Sequence, residues 1–356
     1  MFVKNAWYVA AWSHELIDSH LLGRTLLGEK VVLYRGQDDK VVAMEDRCCH
    51  RGAALSLGRL EGTCVRCMYH GLLFDSTGKC IQIPGQETIP PILRVRTYPV
   101  ADTGRLVWIW MGEAALADES KIPDFEYLGN PDWHGMPDYI HYDANYLLIA
   151  DNLADFNHIS YVHTNTLGGS ERYAVEHEQS PLERRDDGFK LTKWHMNSDL
   201  PPFVKKIEKK MKKVDRWNTV VMKVPAFFFL DSGFSPAGNG LRQGNREGII
   251  EFRNFQAMTP ETEKTTHFFW VYMHNQQINI ENYAHSLHDS ILEGFYEDKI
   301  IIETQQKILD SDLTFKLKAV AADAPLSHLR WLIERRLKEE ESAGSSAARV
   351  ATAAQV

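Results

Sequence analysis

The sequence predicts an α+β chain: an N-terminal all-β domain over residues 1–115, then a domain of antiparallel sheet and helices over 139–341. Three observations predict it. Short apolar or alternating runs separated by turn residues fill the first part. Longer alternating runs recur between residues 173 and 275. One long helical pattern, from about Glu281 to Leu309, follows them. Between the two domains, residues 116–138 are acidic and broken by prolines and glycines, as a linker would be. Residues 342–356 read as a disordered tail.

The 356 residues carry a net charge of −8, which argues against a nucleic-acid partner. Apolar residues make up 44 % of the chain, enough for a real core. Five cysteines, four of them between positions 48 and 67, do not form a disulfide framework. The start, MFVKNAWYVAAW, has no signal-peptide pattern, and no stretch approaches a membrane span. A reduced, cytoplasmic protein without a membrane partner is expected.

In the first domain AWYVAAW, RTLLGEKVVLYR and KVVAMED read as strands around the turn Gly36–Asp39. LLFDSTGKCIQI forms a hairpin at Ser76-Thr77-Gly78, and RVRTYPV and RLVWIWMG form another at Asp102-Thr103-Gly104. Between these lies CCHRGAALSLGRLEGTCVRCMYH, residues 48–70. It offers Cys48 and His50 as C-x-H, and Cys67 and His70 as C-x-x-H, with Gly52, Gly58 and Gly62 between for tight hairpins. Two thiolates and two imidazoles fit a closed zinc tetrahedron. They also fit a [2Fe–2S] cluster with both cysteines on one iron and both histidines on the other. Each loop supplies one Cys and one His, which favours the cluster. Cys49, Cys64 and Cys80 are left as bystanders.

The second domain opens with a helix expected over Asn145–Tyr161. Asn152, Asp155 and His158 recur every third residue on one stripe. His163 lies five positions further on, about 140° round an ideal helix, so the helix must bend or unwind before both histidines meet one metal. The strands that follow are YAVEHEQ, FKLTKWHM, RWNTVVMKV, AFFFLDSG, EGIIEFRNFQAM and THFFWVYMHN. Among them, PPFVKKIEKKMKKVDRW places Val204, Ile207, Met211 and Val214 at helical spacing beneath a basic face. It reads as an amphipathic helix, with docking of an acidic electron carrier or attraction of anionic substrates as the sharper reading. On the long helix Ile291, Phe295, Asp298 and Ile302 share one stripe, and a carboxylate buried there needs a partner. Glu293, Glu297 and Glu303 are expected to point elsewhere.

CCHR followed by CMYHGL is similar to the cluster motif of Rieske ring-hydroxylating and demethylating oxygenases. DNLADFNHISYVH resembles their mononuclear iron motif. NAWYVAAW, IPGQE and MTPETE extend the resemblance, towards short single-subunit oxygenases related to vanillate O-demethylase, dicamba O-demethylase and toluenesulfonate methyl-monooxygenase. The resemblance implies a Rieske domain followed by a helix-grip catalytic domain. It implies one [2Fe–2S] cluster on Cys48, His50, Cys67 and His70, and one mononuclear Fe(II) on His158, His163 and Asp298. Asn152 and Asp155 would stand beside the iron, and the Asp155 carboxylate would reach His70 on the neighbouring chain of a head-to-tail homotrimer. Electrons would come from NAD(P)H through a ferredoxin and/or flavin reductase. The implied reaction is O2-dependent hydroxylation of an alkyl carbon on a substituted aromatic, giving O- or N-dealkylation or a benzylic alcohol. A pocket is expected near Phe227, Phe228, Phe229, Gln256 and Ile291. This chain has Cys49 and Met68 where the family usually has proline, so its loops lack that stiffening. A ring-dihydroxylating dioxygenase and a zinc-stabilised aromatic-binding protein are the alternatives. A bare electron carrier would need only the first domain.

Overall fold

Turn chemistry shapes the N-terminal unit. The computed structural model describes the chain except residues 18–19, 104, 169, 206–210, 276–282 and 354–356, with 344–353 described in backbone only. It divides into Met1–Asp124 with Thr259–Glu263, and Phe125–Met258 with Lys264–Val356. The first unit contains β1 (Trp7–Trp12), β2 (Leu22–Leu26), β3 (Glu29–Arg35), β4 (Val41–Glu45), β5 (Arg59–Glu61) and β6 (Cys64–Arg66). It continues with β7 (Leu73–Phe74), β8 (Cys80–Gln82), β9 (Thr97–Tyr98), β10 (Val100–Asp102) and β11 (Leu106–Trp110). They form three sheets, ordered β1-β11-β10, β2-β3-β4-β9 and β5-β6-β7-β8. Thr259–Glu263 completes this unit. The Thr259 hydroxyl donates to Val9 O at 2.7 Å, and Leu27 N and Gly28 N donate to Pro260 O and Glu261 O at 2.8 Å each.

Two loops, one between β4 and β5 and one between β6 and β7, share the same backbone turn. Cys48 N donates to Ala53 O at 2.8 Å, and Gly52 N donates back to Cys48 O at 2.9 Å. Cys67 N donates to Leu72 O and Gly71 N to Cys67 O, both at 2.9 Å. Gly52 and Gly71 close these turns at φ 71° and 75°, where a side chain is strained. Beneath the loops Leu55, Val65 and Phe74 are fully buried with both turn-opening cysteines. Arg66 braces the second loop, donating to Gly71 O at 2.7 Å and to both oxygens of Glu61.

The second unit is built on one antiparallel sheet. Its strands are β12 (Trp133–Gly135), β13 (Asp138–Tyr142), β14 (Glu178–Gln179), β15 (Glu183–Arg185), β16 (Gly188–Ser198), β17 (Val214–Lys223), β18 (Phe227–Pro236), β19 (Ile250–Thr262) and β20 (Thr265–Asn275). They run in the order β12-β20-β19-β18-β17-β16-β14, with β13 on β20 and β15 on β16. Alternation puts Arg216, Asn218, Val220 and Met222 of β17 on one face, directly opposite Phe234, Ser232, Leu230 and Phe228 of β18. The helices are α1 (Tyr146–Ala154), α2 (Ile159–Val162), α3 (Arg172–Val175), α4 (Pro202–Lys205), α5 (Tyr283–Ser311) and α6 (Ala324–Ala353). Leu287, Ile291, Phe295, Asp298 and Ile302 line the buried stripe of α5. Phe295 meets the rings of Phe268 and Trp270 of β20 at 5.2 and 4.9 Å, a burial contributing roughly 1.5–3 kcal/mol.

Five expectations change. The helix expected over 145–161 breaks after Ala154. Residues 172–175, inside a run read as a strand, form α3 because the Tyr173 ring stacks flat on His195 at 3.6 Å. The linker's end joins the sheet, since β12 pairs with β20 through Trp133 and Asn275. The basic amphipathic helix is limited to α4 among the described residues. Ile207 lies outside them, and Val214 opens β17 opposite Pro236. The tail expected to be disordered continues α6 as far as Ala353, in keeping with the high helix propensity of its alanines.

A methyl group on Gly71 would sit 2.8 Å from Pro84 Cγ and would also hold a left-handed φ. Gly71→Ala is expected to cost about 1–2 kcal/mol and to loosen the second loop. Denaturant unfolding gives the stability loss, and visible absorption of the purified protein gives the loss of cluster.

Candidate metal centres

The two loops bring like side chains together. Cys48 and Cys67 are each 2 % exposed, and their thiols lie within interaction distance of each other. The His50 and His70 rings stand 4.7 Å apart on the same loops. Cys49 points to solvent, Cys80 is buried and Cys64 is half-buried. Burial, with Cys67 alongside, pushes the Cys48 thiol up to about 11, although the His50 backbone N–H favours the thiolate. Among the described residues only His158, His163 and Asp298 bring three donor atoms within 4.8 Å of one another. The four loop residues therefore do not converge on one ion. Pairs of cysteines and of histidines held apart fit a two-iron cluster and not a zinc tetrahedron.

The second centre depends on the break at Asp155. There the backbone turns extended (φ −119°, ψ 104°), and the Asp155 carboxylate caps the next turn by accepting from Asn157 N at 2.9 Å. The chain restarts as a short 3₁₀ turn, Phe156–His158, and then α2. This redirection resolves the 140° mismatch between the histidines expected from an unbroken helix. His158 Nδ1 donates to the Asp155 carbonyl at 2.5 Å, leaving Nε2 free. His163 Nδ1 donates to Glu297 Oε2 at 2.7 Å, which likewise frees its Nε2. Asp298 Oδ1 lies 3.2 Å from His163 Nε2 and 3.7 Å from His158 Nε2. Asn152 Nδ2 donates to the same oxygen at 2.9 Å.

Two imidazole nitrogens and one carboxylate oxygen thus face a common point, and their free atoms fit a metal ion with open positions. The buried Asn152 Oδ1 beside them has no protein partner. Burial pushes the His158 pKa down against the pull of Asp298, which favours the neutral ligand form. Burial also lowers that of His163, but Asp298 and Glu297 outweigh it and hold the ring above its ordinary value.

Two sequence readings are corrected here. The spacing of Asp155 three residues before His158 suggests that its carboxylate holds that imidazole; its backbone carbonyl does so instead. Glu297 does not point elsewhere: it orients His163 and accepts from Thr166 Oγ1 at 2.6 Å. Its neighbour Glu293 is exposed. The available signal was adjacency, since Glu297 sits one residue, 100° of helix, from the stripe that carries Asp298.

The triad lines a cavity of about 70 Å³. Phe156, Phe228, Ile291 and Phe295 give it apolar walls, and Gln256 lines it as expected. Arg216, Asn218 and Asn254 also line it. The expected Phe227 and Phe229 do not, because they lie on the opposite face of β18.

Residues 6–99 match the Rieske [2Fe–2S] domain, and residues 142–339 match the vanillate O-demethylase oxygenase C-terminal domain. Fold and donor chemistry together define a Rieske non-haem iron monooxygenase, with a [2Fe–2S] cluster and a mononuclear iron. The chain belongs to the vanillate O-demethylase oxygenase family. It is 42 % identical over 344 residues to the iron–sulfur subunit of the toluene-4-sulfonate monooxygenase system of Comamonas testosteroni, covering 96 % of this chain and 98 % of that one. It is 32 % identical to the vanillate O-demethylase oxygenase subunit of Pseudomonas sp. strain HR199, covering 98 % of each. The crystal structure of dicamba monooxygenase bound to 3,6-dichlorosalicylic acid superposes with a TM-score of 0.88 at 30 % identity, over 96 % of this chain and 99 % of that one. Dicamba monooxygenase with non-haem iron and dicamba gives 0.75 at the same identity and coverage. Proteins of this kind are oxygenase components of multi-component systems that draw electrons from a partner. Among the described residues no helix is long and apolar enough to cross a membrane.

Glu297 orients His163 and is not itself a member of the His158–His163–Asp298 group. Glu297→Ala is expected to lower mononuclear iron affinity roughly 10- to 100-fold while the visible absorption of the cluster stays. Glu293→Ala is the control. Iron content after dialysis against graded chelator measures both.

Proposed function

We propose that the protein hydroxylates an alkyl carbon carried by a substituted aromatic, giving O- or N-dealkylation with aldehyde release, or a benzylic alcohol. The observation that carries this reading is the opening of the His158–His163–Asp298 group into an aromatic-walled cavity. The activities of the relatives, O-demethylation of vanillate and monooxygenation of toluene-4-sulfonate, support the same chemistry. His158, His163 and Asp298 would hold the iron, and Cys48, His50, Cys67 and His70 the cluster. When bound, these groups supply electron storage and oxygen activation. For a methyl ether the balance is R–OCH3 + O2 + 2 electrons + 2 protons giving R–OH, formaldehyde and water. The chain's own part is to seat the ring against Phe228 and Ile291, exclude bulk water, and hold both histidines in the tautomer that frees Nε2.

The electron donor would be a ferredoxin and/or a flavin reductase fed by NAD(P)H, and the working state a homotrimer in the reducing cytoplasm. Domain limits of 1–115 and 139–341 belong to this reading, with the segment between them ending in β12. In the trimer the Asp155 carboxylate would reach His70 of the neighbouring chain, while the Asp155 backbone carbonyl holds His158. The Asp155 side chain is 27 % exposed and touches Lys193 only at 4.0 Å, so one carboxylate oxygen stays available.

Incubation with a surrogate reductase, NADH and O2 tests the activity on methoxylated, N-methylated and methyl-substituted aromatics. Formaldehyde or benzylic alcohol is expected in proportion to NADH consumed, and cis-dihydrodiol product would replace this reading with a ring dioxygenase. Asp155→Asn is expected to keep iron content and dithionite reduction of the cluster, and to slow single-turnover reoxidation of the cluster at least ~10-fold. A wild-type reoxidation rate would reduce Asp155 to a local cap.

A further inference from the structure

Of the described residues that line the cavity, Arg216 alone carries a permanent positive charge. It is 6 % exposed, and its Nε has no hydrogen-bond partner. Among the described residues no carboxylate pairs with it. Asp215, next to it on β17, faces the other way and spends its oxygens on Asn197 N at 2.8 Å and Gly238 N at 2.9 Å. Asp298, which also lines the cavity, accepts from Asn152 and faces the His158 and His163 nitrogens, and makes no ion pair with Arg216.

What surrounds Arg216 holds it flat without neutralising it. Its guanidinium carbon lies 4.6 Å from the centre of the Tyr173 ring and 5.1 Å from that of Phe234. The platform is itself fixed. Asn218 Nδ2 donates to the Tyr173 hydroxyl at 2.7 Å, and the other face of Tyr173 stacks on His195 at 3.6 Å. Burial, followed by the charge of Arg216, pushes His195 down to about 3, so this imidazole is neutral and adds no competing cation. Aromatic faces recover only part of the cost of burying a cation. A guanidinium with free N–H groups at a cavity wall leaves room for a bidentate anion.

The sheet register places this charge at one end of the cavity. Arg216 pairs with Phe234, whereas Gln256 lies in the row of Met222 and Phe228, six residues further along β17. That offset is about 20 Å along the strands, so the amide end and the cationic end of the cavity are distinct.

We propose that Arg216 is the specificity-determining residue of the cavity and binds the carboxylate or sulfonate of an anionic aromatic substrate whose alkyl carbon faces the His158–His163–Asp298 group. This rests on the alkyl-hydroxylation reading only for the word substrate; the anion site stands on its own geometry.

The test is calorimetric titration of the oxidised holoprotein with 4-methoxybenzoate and 4-methylbenzenesulfonate, each against its neutral amide. For the wild type at least one anion is expected to bind about 10- to 100-fold more tightly than its amide. The two anions separate carboxylate from sulfonate recognition. In Arg216→Met that ratio is expected to fall to near one, and Arg216→Lys should recover part of it. Cluster absorbance and circular dichroism identify any variant that misfolds, and Arg216→Gln then takes the place of Arg216→Met. A wild type with no anion preference, no measurable binding of either anion, or a preference that survives in the neutral variants overturns the assignment. Tight anion binding without formaldehyde or alcohol under turnover would overturn the hydroxylation reading and leave Arg216 in place. Formaldehyde from neutral aromatics alone would do the reverse.

Discussion

The second unit depends on how one buried carboxylate is satisfied. Asp298 is 4 % exposed on a helix stripe that otherwise buries hydrocarbon. A lone carboxylate there would be costly. The Asn152 amide of α1 donates to it, and the His158 and His163 Nε2 atoms face the same oxygen at 3.7 and 3.2 Å, so a cation held among them would complete its neutralisation. Three short segments that could not hold a geometry alone are thereby tied to a 29-residue helix, which is itself anchored to the sheet through Phe295. The buried carboxylate and the two Nε2 atoms thus share one point that asks for a cation.

The two metal centres are held by different means. In the first unit the backbone does the positioning: each loop is one closed turn over a small core, and a glycine with positive φ sets its exit. In the second unit side chains do it. Glu297 holds His163 while the Asp155 carbonyl holds His158, and each imidazole is left with one outward nitrogen. A turn-based site tolerates side-chain changes that leave its glycines alone. A site built from a hydrogen-bond network is sensitive to every member.

Much of this was legible in the sequence, and the remainder failed for identifiable reasons. The approach of Cys48 to Cys67 and of His50 to His70 was readable because their spacing within two loops is short and local. The strands from Phe189 to Met273 were readable because one face is buried and period two survives. Asp298 was found as a charge on an apolar stripe. The break at Asp155 was foreseen only as a conflict between His158 and His163, since a capping aspartate inside an apolar run looks like any other helical polar residue. Glu297 and Arg216 were missed for a common reason. Their roles come from partners 134 and 43 positions away, His163 and Tyr173, which no local period encodes. The stretch 173–175 was misread because Tyr173 serves a stacking contact and not a sheet.

Residues Thr259–Glu263 have a consequence for how the polypeptide is made. They belong to the first unit by contact, with Thr259 on Val9 and Pro260 and Glu261 on Leu27 and Gly28. A ribosome that has finished β11 must still add some 150 residues before this stretch appears, which takes roughly 7 to 30 s at ordinary elongation rates. During that interval the main-chain N–H groups of Leu27 and Gly28 await their acceptors. The N-terminal unit therefore does not close in strict vectorial order. Its last backbone hydrogen bonds form only after most of the second sheet has emerged, coupling the maturation of one unit to the synthesis of the other.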